Sequence, residues 1–466
     1  MIKGKIIGIM KTIFRFLFVS FLVLGVLISC SKNNTTGEGP KNEIVQLPLF
    51  KVSTNGNTIV DEPKVDAQLA ILKDGIVDQE SNIGIEFRGS SSQQFPKKSY
   101  GFETRDSNNE DVDISLLEFP EEEDWILYAP YSDKSLIRNK LIYDLSRDIG
   151  RYASRSEFVE LEINSEYRGV YVFMEKLKRG KDRIDINNLK EDENSGEDLT
   201  GGYILKLDKL SLSDSFGTGL GYNSTNSFRS NFAPLLATGS QDINFLYEDP
   251  DAEDITTEQK TYISTYVKDF ENALASPQFK DATQGYQAFI DVDSFIDYFI
   301  LNELANNVDA YRISTYLQKE KNEKLKMGPI WDFNIAFGNA DYCGGGTTNV
   351  WAYKFNERCA GDTWLIPFWW DRLLQDPAFV SKLKVRWEQL RSSSLANSAI
   401  LAKISSYKDT LNNMGARNRN FEKWSVLSVY IWPNNFVGNS YDAEIDYLEN
   451  WIIARSSWLD TAIQDL

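Results

Sequence analysis

Two isolated aspartates, Asp309 and Asp332, are the residues of this 466-residue sequence whose type and spacing point most directly to chemistry. Each stands beside an apolar, strand-like run, and their spacing of 23 positions (332 − 309) contains two such runs joined by the charged turn KEKNE. This pattern predicts one hairpin, whose return brings the two carboxylates close together. Sites in which one acid orients a hydroxyl and another holds a metal have this arrangement. The alternative is local: Asp309 caps a turn and Asp332 accepts hydrogen bonds from nearby backbone amides.

Histidine is absent from the sequence, and this absence restricts the possible chemistry. It excludes Ser-His-Asp and Cys-His hydrolases, histidine-based metal sites and histidine pH switches. The remaining catalytic groups are carboxylates, lysines, arginines and a metal bound through oxygen. A glycoside hydrolase that uses two carboxylates is a weaker alternative, because no extended substrate groove is evident in the sequence.

The first 29 residues have the pattern of a bacterial lipoprotein signal peptide. Four basic residues precede an apolar run over 16–28, which is too short for a comfortable membrane span and ends just before Cys30. We therefore expect cleavage before Cys30, a lipid on its sulfur and a polar tether over 30–42. The predicted location is the cell envelope, at the outer membrane or the cell surface, with membrane contact through the lipid anchor only.

The charge of the chain excludes one class of partner. The whole sequence has a formal charge of −18, and removal of four basic leader residues leaves 46 basic against 68 acidic side chains, or −22. Such a polyanion repels nucleic acid and anionic membrane surfaces, so we exclude a nucleic-acid partner.

The two cysteines of the predicted mature domain, Cys343 and Cys359, lie in a glycine-rich segment with 15 residues between them. In an oxidising compartment they are candidates for one disulfide, which would contribute about 3 kcal/mol for a loop of this length.

Cationic residues near small-residue loops are candidates for phosphate binding. Two predicted strands, 83–88 and 97–103, flank a loop of one glycine and three serines, with Arg88, Lys97 and Lys98 beside it. An ordinary turn is the alternative. A helix predicted from about Ser135 carries Arg138 near its buried face, either in a structural ion pair or in an anion site.

The C-terminal part is rich in tryptophan: ten of the eleven lie between Trp331 and Trp458. Helical apolar spacing predicts that they fill the core between helices. Alternatively, Trp364, Trp369 and Trp370 form an exposed platform for sugar rings or a partner protein.

Six segments in this order resemble the CotH kinase family, which is similar in architecture to an atypical protein kinase. They are RGSSSQQFPKKSYGFE, SLIRNKL, GVYVFMEKLKR, GGYILKLD, NNVDAYRISTYL and GPIWDFNIAFGN, and the resemblance covers roughly residues 80–466. It implies an α+β, two-lobed kinase-like fold. The expected parts are an N-terminal β-rich lobe with one helix (43–208), a C-terminal lobe (209–360) and a helical extension packed on the C-terminal lobe (361–466).

The resemblance also implies ATP and Mg²⁺ as cofactors and assigns residues to the nucleotide. Lys98 matches the phosphate-contacting lysine, supported by Arg88 and Arg138. The hairpin exit at 174–177, which includes Glu175, would be the hinge that contacts adenine through its backbone.

For the chemistry, the resemblance matches Asp309 to the acid that orients the acceptor hydroxyl and Asp332 to the metal-binding acid. Asn334 stands where many relatives carry a second acid, but its side-chain oxygen is still able to bind magnesium. Asn306 and Asn307 are further candidates for metal binding or substrate orientation.

The first function that follows is ATP-dependent phosphoryl transfer to Ser or Thr hydroxyls of secreted or surface proteins. The competing class is a non-catalytic, pseudokinase-like surface lipoprotein that binds glycan or protein, since an exported protein meets little ATP.

Overall fold

The computed structural model of the protein describes residues 46–211 and 221–466. The predicted leader, the tether and the lipidation residue Cys30 lie outside these ranges. No helix in the described ranges is long and apolar enough to cross a membrane.

The first sheet is a closed barrel in the order β1-β2-β3-β4-β5-β7-β6. Its strands are β1 Leu49–Ser53, β2 Val65–Lys73, β3 Ile76–Arg88, β4 Ser99–Arg105, β5 Asp124–Tyr128, β6 Ser156–Ile163 and β7 Glu166–Glu175. The strand neighbours are antiparallel except for β1 and β6, which close the barrel in parallel. Apolar side chains on alternate positions, among them Phe50, Phe102 and Phe173, fill the interior.

Helix α1, Arg138–Asp148, lies in the chain between β5 and β6. It begins three residues after the predicted start because Asp133 caps it. The Asp133 carboxylate accepts hydrogen bonds from the backbone nitrogens of Ser135 (3.1 Å) and Arg138 (2.9 Å).

A second sheet has five strands in the order β12-β11-β8-β10-β9. Its strands are β8 Tyr203–Leu207, β9 Ser227–Arg229, β10 Asn244–Asp249, β11 Thr315–Lys319 and β12 Lys326–Met327. The predicted N-terminal lobe, which ended at 208, included β8. In the structure, β8 pairs with β10 and β11 and therefore belongs to the second sheet. The last strand of the first sheet ends at Glu175.

Eight further helices follow in the described ranges: α2 Thr257–Ala275, α3 Val292–Ala305, α4 Phe355–Arg358, α5 Trp369–Leu373, α6 Pro377–Arg391, α7 Asn397–Asn413, α8 Ala416–Lys423 and α9 Tyr441–Ala462. Helix α2 begins with a capping box formed by Thr256 and Gln259. Together with the two sheets, these helices confirm the mixed α+β class.

The helical C-terminal part packs on helices of the predicted C-terminal lobe, where α6 and α9 contact α3 and α5 contacts α2, and it also packs on the barrel. Helix α8 lies on β7, where the Asn420 side-chain oxygen accepts hydrogen bonds from the Val170 nitrogen (3.0 Å) and the Lys97 ammonium (2.9 Å). At Gly169, whose φ is +100°, an added Cβ would lie 2.6 Å from the same oxygen and 3.0 Å from Trp424 Nε1. This contact therefore requires glycine.

Four of the ten late tryptophans, Trp369, Trp370, Trp387 and Trp451, are buried core residues. Trp369 and Trp370 are each 1% exposed, so the prediction that they form an open platform is wrong and the core interpretation is correct. Trp364 is half-buried and donates to the Tyr222 hydroxyl at 3.0 Å.

Candidate active site

Three aspartates come together beside the second sheet, two of them predicted and one not. The predicted hairpin forms, with Leu317 opposite Met327 in β11 and β12. Asp208 directly follows β8, the neighbour of β11, and accepts a hydrogen bond from the hydroxyl of Ser314 at 3.4 Å. Strand pairing therefore brings residue 208 to the end of the hairpin that carries the other two acids.

Asn307 joins the loops of Asp309 and Asp332. Its side-chain nitrogen donates to the Asp332 carbonyl at 3.4 Å, and its side-chain oxygen accepts from the Asp309 backbone nitrogen at 3.2 Å. Asn307 is 3% exposed. Its amide thus fixes the distance between the two loops, which is a positioning role.

Burial and mutual repulsion dominate the electrostatics of the three acids. Burial, followed by the charges of Asp309 and Asp208, raises the pKa of Asp332 to about 7. Burial, and to a smaller extent Asp309, raises the pKa of Asp208 to about 6. The carboxylates therefore face a common, poorly hydrated space in which a further positive charge would be stabilising.

Two cations oppose these acids without forming a close ion pair with them. Arg88 and Lys209 each act to lower the pKa of Asp332. The Arg88 guanidinium lies 5.8 Å from the centre of the Trp331 ring, and the Lys209 ammonium lies 5.3 Å from that of Trp364. Within the described ranges, neither Asp208 nor Asp332 forms a salt bridge, so both carboxylates are available to a bound cation.

Asp309 is held by Arg312. One guanidinium nitrogen of Arg312 donates to Asp309 Oδ1 at 2.8 Å, and another contacts Asp362 at 3.2 Å. Arg312 also stacks on Phe355, with its guanidinium carbon 4.0 Å from the ring centre. These contacts fix the direction of one carboxylate oxygen of Asp309. An acid that orients a hydroxyl needs a fixed direction of this kind.

Helix α1 positions the Asp332 loop from the other side. Asp332 has a left-handed backbone, with φ +57°, and its nitrogen donates to the Tyr143 hydroxyl at 3.2 Å. The next nitrogen, of Phe333, donates to the side-chain oxygen of Asn139 at 2.8 Å. A strained conformation of this kind persists where surrounding contacts enforce it.

Arg138 on the same helix is fully buried and pairs with Asp133, and its Nε donates to the Ala336 carbonyl at 3.1 Å. Of the two alternatives, the structural ion pair is therefore correct. The predicted phosphate contact is wrong, because the guanidinium lies inside the protein and holds the loop that follows Asp332.

The two adjacent lysines of the 88–103 segment have different surroundings. The Lys98 ammonium donates to the Gln93 carbonyl within its own loop. Lys97 is 2% exposed and donates to the Val170 carbonyl at 2.6 Å as well as to Asn420. Arg88 and Lys209 are the cations that lower the pKa of Asp332. The assignment of Lys98 to a phosphate stays a prediction.

Glu175 and Asn334 both use their side chains internally. Glu175 is fully buried and accepts from Arg155 Nη1 at 2.6 Å and from the Tyr152 hydroxyl at 3.1 Å. A nucleotide contact at this point must come from backbone atoms. The Asn334 side chain hydrogen-bonds to Tyr128, and its assignment to a metal stays a prediction.

The glycine-rich loop after Asn339 is anchored in two ways. The Asn306 amide nitrogen donates to the carbonyls of Gly344 (2.9 Å) and Thr347 (3.0 Å), so this asparagine holds the loop, and its contact with a metal stays a prediction. Cys343 and Cys359 form a disulfide with a Cα–Cα distance of 5.9 Å.

A fully buried ion pair supports the end of α3 just before Asn306. Arg455 of α9 contacts Glu303 Oε2 at 3.1 Å and the Glu303 carbonyl at 2.7 Å. The Glu303 carboxylate also accepts from the backbone nitrogens of Ala352 and Tyr353, both at 2.8 Å. The C-terminal helix thereby fixes the chain that leads to Asp309.

Asp208, Lys209 and Arg312 were not assigned a role from the sequence. A signal for Asp208 was present, because this acid closes GGYILKLD, one of the six ordered segments. Lys209 directly follows Asp208, and Arg312 lies three residues after Asp309. The sequence alone does not show which charged side chains point toward a site.

Comparison with known proteins gives two matches. A family model described as CotH kinase protein matches residues 85–459. The inner spore coat protein H of Bacillus subtilis (strain 168) is 31% identical over 138 residues, which is 28% of this chain and 34% of that protein. The chain thus spans about a third of the length of this relative in the match.

Proposed function

The chain belongs to the CotH kinase family, and we propose that it transfers a phosphoryl group from ATP to Ser or Thr hydroxyls of secreted or surface proteins. The observation that carries this proposal is the convergence of Asp208, Asp309 and Asp332 opposite Arg88 and Lys209. Phosphoryl transfer depends on positioning and charge neutralisation, and this set offers both without a histidine.

The residues present fit a magnesium ion. Asp332 and Asp208 would hold it, because both are oxygen donors in a poorly hydrated space and neither has a salt-bridge partner in the described ranges. When bound, the ion neutralises the charge of the ATP phosphates. Arg88 and Lys209 would contact those phosphates, with Lys98 as the lysine that the family resemblance adds.

Asp309 would orient the acceptor. Arg312 holds one of its oxygens at 2.8 Å, so the carboxylate has a defined direction in which to accept a hydrogen bond from a Ser or Thr hydroxyl. The same carboxylate would take the hydroxyl proton as the oxygen attacks phosphorus.

A two-lobed kinase-like arrangement is part of the proposal. The barrel with α1 corresponds to the N-terminal lobe, and the second sheet with its helices to the C-terminal lobe. In this arrangement the backbone at 174–177 is the hinge that contacts adenine.

We further propose that the protein is a lipoprotein of the cell envelope, attached through Cys30. The Bacillus relative is an inner spore coat protein, a name that indicates a surface location for that protein. This supports an extracytoplasmic location here, as does the leader pattern.

The test is a calorimetric titration of residues 31–466 with ATP, with and without Mg²⁺. Micromolar binding that requires the metal and is lost in Asp332→Ala supports the kinase, and Asp182→Ala, at an exposed site, is the matched control. Absence of binding at millimolar ATP refutes it in favour of a non-catalytic, pseudokinase-like lipoprotein that binds glycan or protein.

A further inference from the structure

Exposed apolar side chains concentrate in one loop between α8 and α9. Of eleven exposed large hydrophobic residues in the described ranges, four lie in the nine residues 429–437. They are Val429 (45% exposed), Tyr430 (52%), Trp432 (53%) and Val437 (37%). A contiguous exposed group of this kind marks a binding surface, whereas single exposed apolar residues are ordinary.

This loop is fixed against the segment that follows the Asp332 loop. The Asp341 nitrogen donates to the Pro433 carbonyl at 2.9 Å, and the Asn435 nitrogen donates to the Asn339 carbonyl, at 2.8 Å. The Tyr430 hydroxyl donates to the Asp341 carboxylate at 2.7 Å. The apolar surface is therefore presented by an ordered backbone.

One ring connects this surface to the candidate active site. Tyr342 stacks on Trp432, with ring centres 6.1 Å apart and planes 7° from parallel. On its other side, Tyr342 packs on the small cluster of Val308, Ile335 and Ala340, which flanks both Asp309 and Asp332. Asp309 and Asp332 also act to raise the pKa of the Tyr342 phenol.

We propose that Tyr342, Tyr430 and Trp432, with Val429 beside them, form a docking surface for the acceptor protein, which presents an apolar side chain to the free face of Trp432. This proposal rests on the proposed kinase function and adds the place where the acceptor binds. The Tyr342 ring contacts both Trp432 and the cluster that contains Val308, the residue before Asp309. Because an extended chain advances ~3.4 Å per residue, the docked side chain lies within a few residues of the phosphorylated hydroxyl.

The chemistry of the surface favours a protein segment over a sugar. A glycan site needs free hydrogen-bonding side chains around the stacking ring. Three of the neighbouring polar side chains make hydrogen bonds within the protein: Asn434 donates to the Ser132 carbonyl at 2.7 Å, Asn435 to the Tyr447 hydroxyl at 2.9 Å, and Tyr430 to Asp341. The large exposed side chains of the loop are aromatic and aliphatic, which matches an apolar anchor residue at a protein interface.

The test uses detergent-solubilised full-length protein, Mg²⁺-ATP and a peptide library with one central serine and variable flanking positions. We expect the wild type to select an aromatic or aliphatic residue at one flanking position. In Trp432→Ala that selection disappears, and KM for the best peptide rises about tenfold, as for loss of an aromatic anchor. Ile76→Ala, at a 74% exposed apolar residue of β3, is the control and leaves the selection and KM unchanged.

Three results would overturn the proposal, and they are distinguishable. Phosphorylation by Trp432→Ala with unchanged selection and KM refutes the docking surface and leaves the kinase function intact. Binding of wild type to a glycan array, lost in Trp432→Ala while peptide KM stays the same, assigns the surface to sugars instead. Absence of Mg²⁺-ATP binding and of transfer to any peptide by the wild type refutes the kinase function itself, and the acceptor surface with it.

Discussion

Replacement of Asp332 by asparagine should make the metal-free protein more stable at alkaline pH. Below pH 4 the carboxyl carries its proton in the folded and the unfolded chain, and the substitution changes little. Between pH 4 and 7 the unfolded chain releases the proton while the folded chain retains it, because the pKa of Asp332 rises from 3.8 to about 7 on folding. The wild type therefore loses stability relative to the variant across this window, and above pH 7 the difference is constant.

The size of this effect follows from the same pKa. A rise from 3.8 to about 7 corresponds to about 4 kcal/mol at about 1.4 kcal/mol per pH unit. Asp332 is half-buried rather than fully enclosed, and water screens part of the repulsion, so we expect a gain of about 2 to 4 kcal/mol at pH 8.

Urea unfolding at pH 4, 6 and 8 in EDTA measures this difference in stability. The proteins compared are the wild type, Asp332→Asn and the exposed-site control Asp182→Asn. Addition of Mg²⁺ at pH 8 should stabilise the wild type and leave Asp332→Asn unchanged, because only the carboxylate attracts the ion. A pH-independent difference between wild type and Asp332→Asn, or a less stable variant at pH 8, would show that the three carboxylates do not repel one another as the geometry requires.

Three further substitutions probe the supports of the site. Arg455→Met leaves the buried carboxylate of its partner unpaired and should lower the free energy of unfolding by about 3 to 5 kcal/mol, measured in urea; an unchanged midpoint would contradict the pairing. Gly169→Ala should cost about 1 to 3 kcal/mol more than Gly75→Ala, because both have positive φ but only the first meets other atoms; equal melting temperatures would argue against the α8 contact. Replacing Cys343 and Cys359 by serine should lower the free energy of unfolding by about 3 kcal/mol and make stability insensitive to dithiothreitol. If dithiothreitol still lowered the stability of this variant, the prediction would be wrong.

The sequence predicted the local parts of the fold well, because their signals are local. Alternation and a charged turn gave the β11–β12 hairpin. The hairpin was sufficient to predict that Asp309 and Asp332 lie close together.

The long-range pairings were not predictable from one sequence. The partners of β8 lie at 244–249 and 315–319, so no local pattern shows that residue 208 joins the two predicted acids. The side-chain directions of Lys97 and Lys98 were also open, because two adjacent lysines on the predicted strand would point to opposite faces and either could be the buried one. For Arg138 the sequence allowed an ion pair or an anion site, and the position of Asp133 decides between them.

The contact of α8 with β7 has a consequence for the order of folding. Asn420 completes the hydrogen bonding of Lys97 and of the Val170 nitrogen, and these atoms lie 323 and 250 residues earlier in the chain. Until residue 420 has been synthesised, the outer face of the barrel carries an ammonium group that lacks one of its two buried acceptors. The barrel therefore reaches its final packing only when nearly the whole chain is present. A barrel that completes its outer face last stays incompletely packed for longer while the chain is synthesised.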